Sequence, residues 1–184
     1  MTRIVAGSAG GRRLDVPPRG TRPTSERVRE AVFSRLEHLG VIEGARVLDL
    51  YAGSGALGLE AVSRGAREVA LVESGRLAAT VCRDNARRAG LSDRVRVYPV
   101  TVGKHLAAGP PGAGYDLVLI DPPYDLDEID RVLAALAGPG WLAPQATIVL
   151  ERSSRSPAPV WPKGWTEDGE KAYGDTVVSY AVGP

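Results

Sequence analysis

The chain has 184 residues with ordinary charged and apolar fractions, enough for one globular domain with a full core and a small appendage. A single cysteine, Cys82, excludes an internal disulfide and reads as a small apolar residue on a helix; no apolar run approaches the roughly 20 residues of a membrane span, and the N-terminus lacks an apolar signal core, so a cytoplasmic monomer is expected. Net charge is only +1, yet residues 1–35 carry eight arginines against Asp15, Glu26 and Glu30, so a basic arm precedes a mildly acidic body and points to a polyanionic partner met from one side.

Arg3 to Ala6 and Arg12 to Val16 are short strand candidates around the turn-rich Gly7-Ser8-Ala9-Gly10-Gly11, which predicts a β-hairpin. Pro17 to Pro23 then form an extended connector. A helix starts at Thr24 or Ser25, either of which can cap it. Val28, Ala31, Val32, Leu36 and Leu39 follow at helical spacing, and Gly40 is the stop.

Val47 to Ala61 reads as a buried strand, a glycine turn and an amphipathic helix. Gly53, Gly55 and Gly58 permit a tight turn, close approach of the backbone to a ligand, and close packing of helix on strand. Asp49 sits within the apolar strand, where a carboxylate is costly unless a cation or donors meet it. It would repel the pyrophosphate of a nicotinamide or flavin dinucleotide and attract the ammonium and sulfonium of S-adenosylmethionine, so the stretch leans toward a methyl donor.

A second strand over Glu68 to Glu73 ends in an acid 20 residues after Gly53, where a carboxylate that accepts ribose hydroxyls belongs. A helix from Arg76 to Ala89 closes at Gly90. Arg94 to Val100 is a third strand, with Thr101 and Val102 at its C-terminal end, the ligand edge of an open α/β sheet. After the loop Gly109 to Gly114, Tyr115 to Ile120 is nearly continuous in apolar residues, as a central parallel strand should be. It delivers Asp121-Pro122-Pro123-Tyr124 to the edge that carries Gly53. The acidic Asp125 to Asp130 merges into a helix through Leu136. Ala146 to Glu151 gives a fifth strand, Ser153 to Lys163 a Ser/Pro-rich connection, and Lys171 to Val182 a terminal hairpin around Gly174-Asp175.

Two prolines after an acid remove two backbone donors and leave carbonyl oxygens facing a site. If the Asp121 carboxylate and the Pro122 carbonyl each accept one N–H of an exocyclic amine, its nitrogen is aimed for in-line methyl transfer, with Tyr124 stacked on the base. No metal is required. An adenine N6 or a protein glutamine amide would serve as well as guanine, and the glycines with Glu73 also fit a dinucleotide-dependent oxidoreductase.

Leu48 to Gly55 and Asp121 to Tyr124 resemble the cofactor and amino-group motifs of class I S-adenosylmethionine-dependent methyltransferases. More narrowly, Arg3 to Gly7, Arg22-Pro23-Thr24, Arg27 to Glu30 and Ala52 to Ala61 resemble the RsmD-type bacterial enzymes that methylate guanine N2 in small-subunit (16S) ribosomal RNA, and the resemblance spans nearly the whole chain. It implies a Rossmann-like α/β fold whose seven-stranded, mostly parallel sheet has one antiparallel strand, with an N-terminal arm and linker over 1–23 and the methyltransferase domain over 24–184. It also implies S-adenosylmethionine contacts at Asp49, Tyr51, Ala52, Gly53, Ser54, Gly55, Gly58, Glu73, Ser74, Thr101 and Val102, and target-amine contacts at Asp121, Pro122, Pro123 and Tyr124. RNA contacts are implied at Arg3, Arg12, Arg13, Arg22, Arg27 and Arg29. Thr101 stands where many relatives have an acid or amide, which passes the adenine contact to the Val102 backbone N–H. Ser74-Gly75 follows Glu73 where relatives often have a longer polar pair.

Overall fold

The computed structural model describes residues 2–18, 25–123 and 128–184. Among the described residues there are nine strands: β1 (Thr2–Arg3), β2 (Arg13–Leu14), β3 (Arg46–Leu50), β4 (Glu68–Val72), β5 (Val95–Tyr98), β6 (Tyr115–Ile120), β7 (Leu142–Ser153), β8 (Thr166–Tyr173) and β9 (Thr176–Val182). The α-helices among the described residues are α1 (Glu26–His38), α2 (Ala56–Ser63), α3 (Arg76–Ala89), α4 (Val102–Ala107) and α5 (Ile129–Leu136). Strands β3 to β9 form one seven-stranded sheet in the order β5-β4-β3-β6-β7-β9-β8. Only β9 runs against its neighbours, since β7 and β8 both pair with it antiparallel and the other pairs are parallel. This is the mostly parallel α/β sheet with one reversed strand that the motif order implies.

Alternation along each strand divides the core into two layers. Val47, Leu71 and Leu119 face one cluster with α1, α2 and α3, while Leu48, Leu50, Val72 and Ile120 face another with α4 and α5. Asp49 lies two residues from Val47 on β3, so strand periodicity puts it on the α2–α3 side. Helix α1 starts where Ser25 Oγ accepts the Val28 N–H at 3.2 Å. Leu39, expected to face the core, is its C-cap residue and is exposed, because the chain turns away at Gly40 with φ near 69°.

The N-terminal hairpin is shorter in strand than the sequence suggests, and it does not stand off as a free arm. Ile4, Ala9 and Leu14 are buried in the first core cluster. Gly7 approaches α2 so closely that a Cβ there would meet the Ser63 carbonyl at 1.9 Å. The terminal hairpin starts earlier than expected, at Thr166, because β8 is a polar, exposed edge strand without alternation to reveal it. Helix α4, only six residues long, is too short for a helical period to be read.

Candidate active site

Register decides what the site contains. Strand β3 pairs with β4 on one side and β6 on the other, and Leu50 sits opposite both Val72 and Ile120. The three strands end together, so the turn after Leu50, Glu73 after Val72 and Asp121 after Ile120 leave the same edge side by side, with neighbouring strands about 4.8 Å apart.

Asp49 is fully buried. Its Oδ2 accepts the Gly58 N–H at 2.8 Å, while its Oδ1 has no hydrogen-bond partner among the described residues. Burial raises the carboxyl to about 8, against the lowering effect of the Gly58 N–H and with further raising by the Asp121 and Glu73 carboxylates. Gly58 is required on packing grounds, since a Cβ would lie 2.3 Å from Leu71 Cδ2 and 3.1 Å from Asp49 Oδ2.

The turn is held from three sides. Tyr51 adopts φ near 66°, uncommon for a residue with a side chain, and its hydroxyl donates to Glu128 Oε1 at 2.9 Å. Burial and this bond push the hydroxyl's pKa upward. Ala52 donates to the Val72 carbonyl, and the Gly53 N–H to Glu73 Oε2 at 2.8 Å. From α3, the Cys82 thiol donates to the Gly53 carbonyl at 3.2 Å and the Asn85 amide to the Ser54 carbonyl at 2.9 Å. Gly55 then caps α2 with φ near 80°.

Glu73 also accepts the Gly75 N–H on Oε1 at 2.7 Å. Both oxygens are thereby oriented, and each keeps a further lone pair for a ligand hydroxyl. Ser74 is exposed beside it. Thr101 is the N-cap of α4 and its Oγ1 accepts the Lys104 N–H at 3.3 Å, so its side chain is committed to the helix. The Val102 N–H lies in the first turn, where no intrahelical acceptor exists, and its side chain is buried. The Asp121 N–H reaches the Leu50 carbonyl at 3.4 Å, Pro122 is buried and Pro123 exposed. Tyr124 lies outside the described residues.

The arginines divide. Arg3, Arg12, Arg13 and Arg27 are exposed, with Arg3 paired to Glu26 at 3.2 Å and Arg12 donating to the Arg88 carbonyl. Arg22 lies outside the described residues. Arg29 requires a correction as an RNA contact: its side chain is completely buried, donates to Thr2 Oγ1 and the Arg3 carbonyl, and stands 3.5 Å from Glu60. A guanidinium enclosed in this way cannot reach a phosphate. Its role is to hold the hairpin on the domain together with Glu60, which accepts the N–H groups of Val5 and Ala6 at 2.7 and 3.0 Å.

Glu60 and Asn85 are among the polar residues that sequence reasoning missed. Both interrupt buried apolar stripes, Glu60 between Leu59 and Ala61 and Asn85 beside Ala86, and a polar group in such a stripe is the signal that could have found them. Asn85 binds both N–H and C=O of Asp15 while holding Ser54, which links the hairpin to the glycine turn.

A family model described as conserved hypothetical protein 95 matches residues 2–182. The chain belongs to that family. Ribosomal RNA small subunit methyltransferase D of Escherichia coli K12 is 37% identical over 175 residues, covering 94% of this chain and 85% of its own length. The protein of the same name from Haemophilus influenzae is 33% identical over 182 residues, covering 98% and 92%. A solved E. coli structure provisionally described as a methyltransferase superposes with a TM-score of 0.85 at 34% identity, over 98% of this chain and 97% of that one.

For a member of this family the donor set suits S-adenosylmethionine. The unpartnered Oδ1 of Asp49 asks for a cationic or donor group, Glu73 for hydroxyls, and the Val102 N–H for an acceptor such as a ring nitrogen. A pyrophosphate would face Asp49, Glu73 and Asp121 together.

Proposed function

We propose that this chain transfers a methyl group from S-adenosylmethionine to the exocyclic N2 amine of a guanine in small-subunit (16S) ribosomal RNA. Kinship with the methyltransferases D supports the ribosomal RNA substrate. The observation that carries the chemistry is the juxtaposition of the half-satisfied, buried Asp49 with Asp121-Pro122-Pro123 on adjacent strand ends.

In this reading Asp49 receives the methionine ammonium, Glu73 the ribose hydroxyls, and the Val102 N–H the adenine ring, while Tyr51, Ala52, Gly53, Ser54, Gly55, Gly58 and Ser74 shape the bed between them. The bound donor supplies a sulfonium-activated methyl group. The Asp121 carboxylate and the Pro122 carbonyl accept the two N–H groups of the amine, which turns its lone pair toward the methyl carbon, and Pro123 and Tyr124 support the plane of the base. Asp121 would also take the proton that the amine nitrogen sheds once it carries the methyl group. The base must be unstacked for this, as in an unpaired loop or bulge. Arg3, Arg12, Arg13, Arg22 and Arg27 supply phosphate contacts on the approach.

Labelled S-adenosylmethionine, incubated with the protein and either unmodified small subunits or naked RNA and followed by nucleoside mass analysis, tests the reading. N2-methylguanosine is expected, and Asp121→Ala should abolish it while leaving cofactor binding nearly intact. Label in adenosine or in protein would overturn the substrate assignment; equal loss of cofactor binding in the variant would overturn the role of Asp121.

A further inference from the structure

The Ser/Pro-rich segment after β7 plays no part in the site described so far, yet it walls a cavity that begins at the same motif. The cavity measures about 310 Å³ and is lined by Pro122, Pro123 and Leu150 and, from the segment after β7, by Pro157, Pro159 and Val160. It lies where β6 and β7 end, the edge at which open α/β sheets bind ligands. Its size is at the lower end for small-molecule sites, which suits a single nucleoside better than a larger group.

The walls are apolar, with a few polar groups among them. Asp130, Arg152, Ser153 and Ser156 line the cavity. Arg152 is 89% buried, since its side chain is 11% exposed, and it donates to the Ser156 carbonyl at 3.0 Å and to Glu170 at 2.9 Å. These bonds fix the segment to β8, so the wall is built rather than draped. The Arg152 Nε–H is buried without a partner among the described residues. Val160 is 71% exposed at this cavity, one of the few large apolar side chains left in solvent. Flat proline faces, an exposed aliphatic group, scattered donors and the Asp130 carboxylate match a purine or pyrimidine ring better than a phosphate.

The target amine itself belongs elsewhere. It must meet Asp121 beside the glycine turn; the cavity shares Pro122 and Pro123 with that motif, but neither Asp121 nor any residue from Asp49 to Gly58 lines it. We propose that the cavity, which adjoins the Pro122-Pro123 turn, receives the unstacked base of a nucleotide flanking the methylated guanine. This inference rests on the guanine-N2 reading above. It adds a second base-binding subsite that grips the RNA beyond the flipped residue and fixes its path across the sheet edge.

Two variants at exposed positions probe the subsite without disturbing the core: Ala158→Trp to fill the cavity and Val160→Ser to remove its apolar rim. Steady-state methylation of acceptor RNA should show a KM raised about tenfold in both, the loss expected when one base contact is removed. Maximal rate and cofactor affinity should stay within about twofold. Acceptor RNA made abasic at the flanking nucleotide should raise KM for the wild-type protein and add nothing further in Val160→Ser. Unchanged KM in both variants, with normal wild-type methylation, would overturn the subsite alone. A lowered maximal rate at unchanged KM would place the target guanine itself in the cavity and also overturn the flanking assignment. Absence of N2-methylguanosine from wild-type reactions would remove the underlying reading and the subsite with it.

Discussion

Cofactor binding should release a proton, because Asp49 is built to be neutral until a cation arrives. Its carboxyl titrates at about 8 in the free protein, driven first by burial and then by the Asp121 and Glu73 charges, with Oδ1 unpartnered. A ligand ammonium requires the ionised form, which makes up about one part in a hundred at pH 6.0 and about one quarter at pH 7.5. Affinity for S-adenosylmethionine should therefore rise about twentyfold across that range, roughly 2 kcal/mol. From about pH 7 the donor's own ammonium also titrates, so the gain should flatten toward the upper end of the range. Isothermal titration calorimetry at pH 7.0, in buffers of different ionisation enthalpy, should report close to one proton released per cofactor bound. Asp49→Asn should bind weakly, with neither the pH slope nor the proton release. The same shift has a stability consequence. Asp49 keeps its proton when folded and loses it near pH 4 when unfolded, so its contribution to free-protein stability falls as pH rises from about 4 to about 8, and the Asn variant should lack that fall. A wild-type affinity independent of pH, with no buffer-dependent heat, would refute the assignment of Asp49 to the ammonium.

Gly58→Ala inserts a Cβ 2.3 Å from Leu71 Cδ2 and 2.9 Å from Val69 Cγ2, so urea denaturation should show a loss of about 1–3 kcal/mol together with weakened cofactor binding; an unchanged midpoint would mean that α2 is less tightly seated on β3 and β4 than its position requires. Glu60→Ala leaves the buried Arg29 charge and the N–H groups of Val5 and Ala6 unpaired, and should cost about 3–5 kcal/mol by the same measurement, with the hairpin becoming protease-sensitive. His105 is buried between the rings of Tyr98 and Trp141 with its pKa lowered by burial. Its contribution to stability is complete above the unfolded-state value of about 6.5 and is lost as pH falls toward the lower folded value, so His105→Phe should flatten the acid side of a melting-temperature profile. Arg27→Glu, at an exposed position on α1, should weaken RNA binding and reduce its dependence on salt by about one unit of slope, as read by filter binding across a salt series; an unchanged slope would remove Arg27 from the RNA path.

Much of this protein is determined by its sequence alone. Alternation and apolar runs specify β3, β4 and β6 because a central parallel strand, buried on both faces, must be apolar nearly throughout. Gly90 and Ser25 end and begin helices by local hydrogen bonding and left-handed geometry that need no distant partner. Asp49 is conspicuous in the sequence because a lone acid in such a strand demands a reason. Elements without that local pressure escape: β8 is polar on an exposed edge, and α4 is too short to show a period.

Other features are decided only by tertiary structure, because they depend on which residues far apart in the chain become neighbours. The pairing of β3 with β6 sets Asp121 beside the glycine turn across about 70 residues of intervening chain. Charge counting treats Arg27 and Arg29 alike, yet the turn of α1 sends one to solvent and the other into the interior against Glu60, 31 positions later. The hairpin likewise reads as a free basic arm until its backbone N–H groups are seen on Glu60, Ser63 and Asn85. Sequence determines which residues need partners; the packing of helices on the sheet determines which partners they find, since a buried polar group can be satisfied by any donor or acceptor the fold brings within reach.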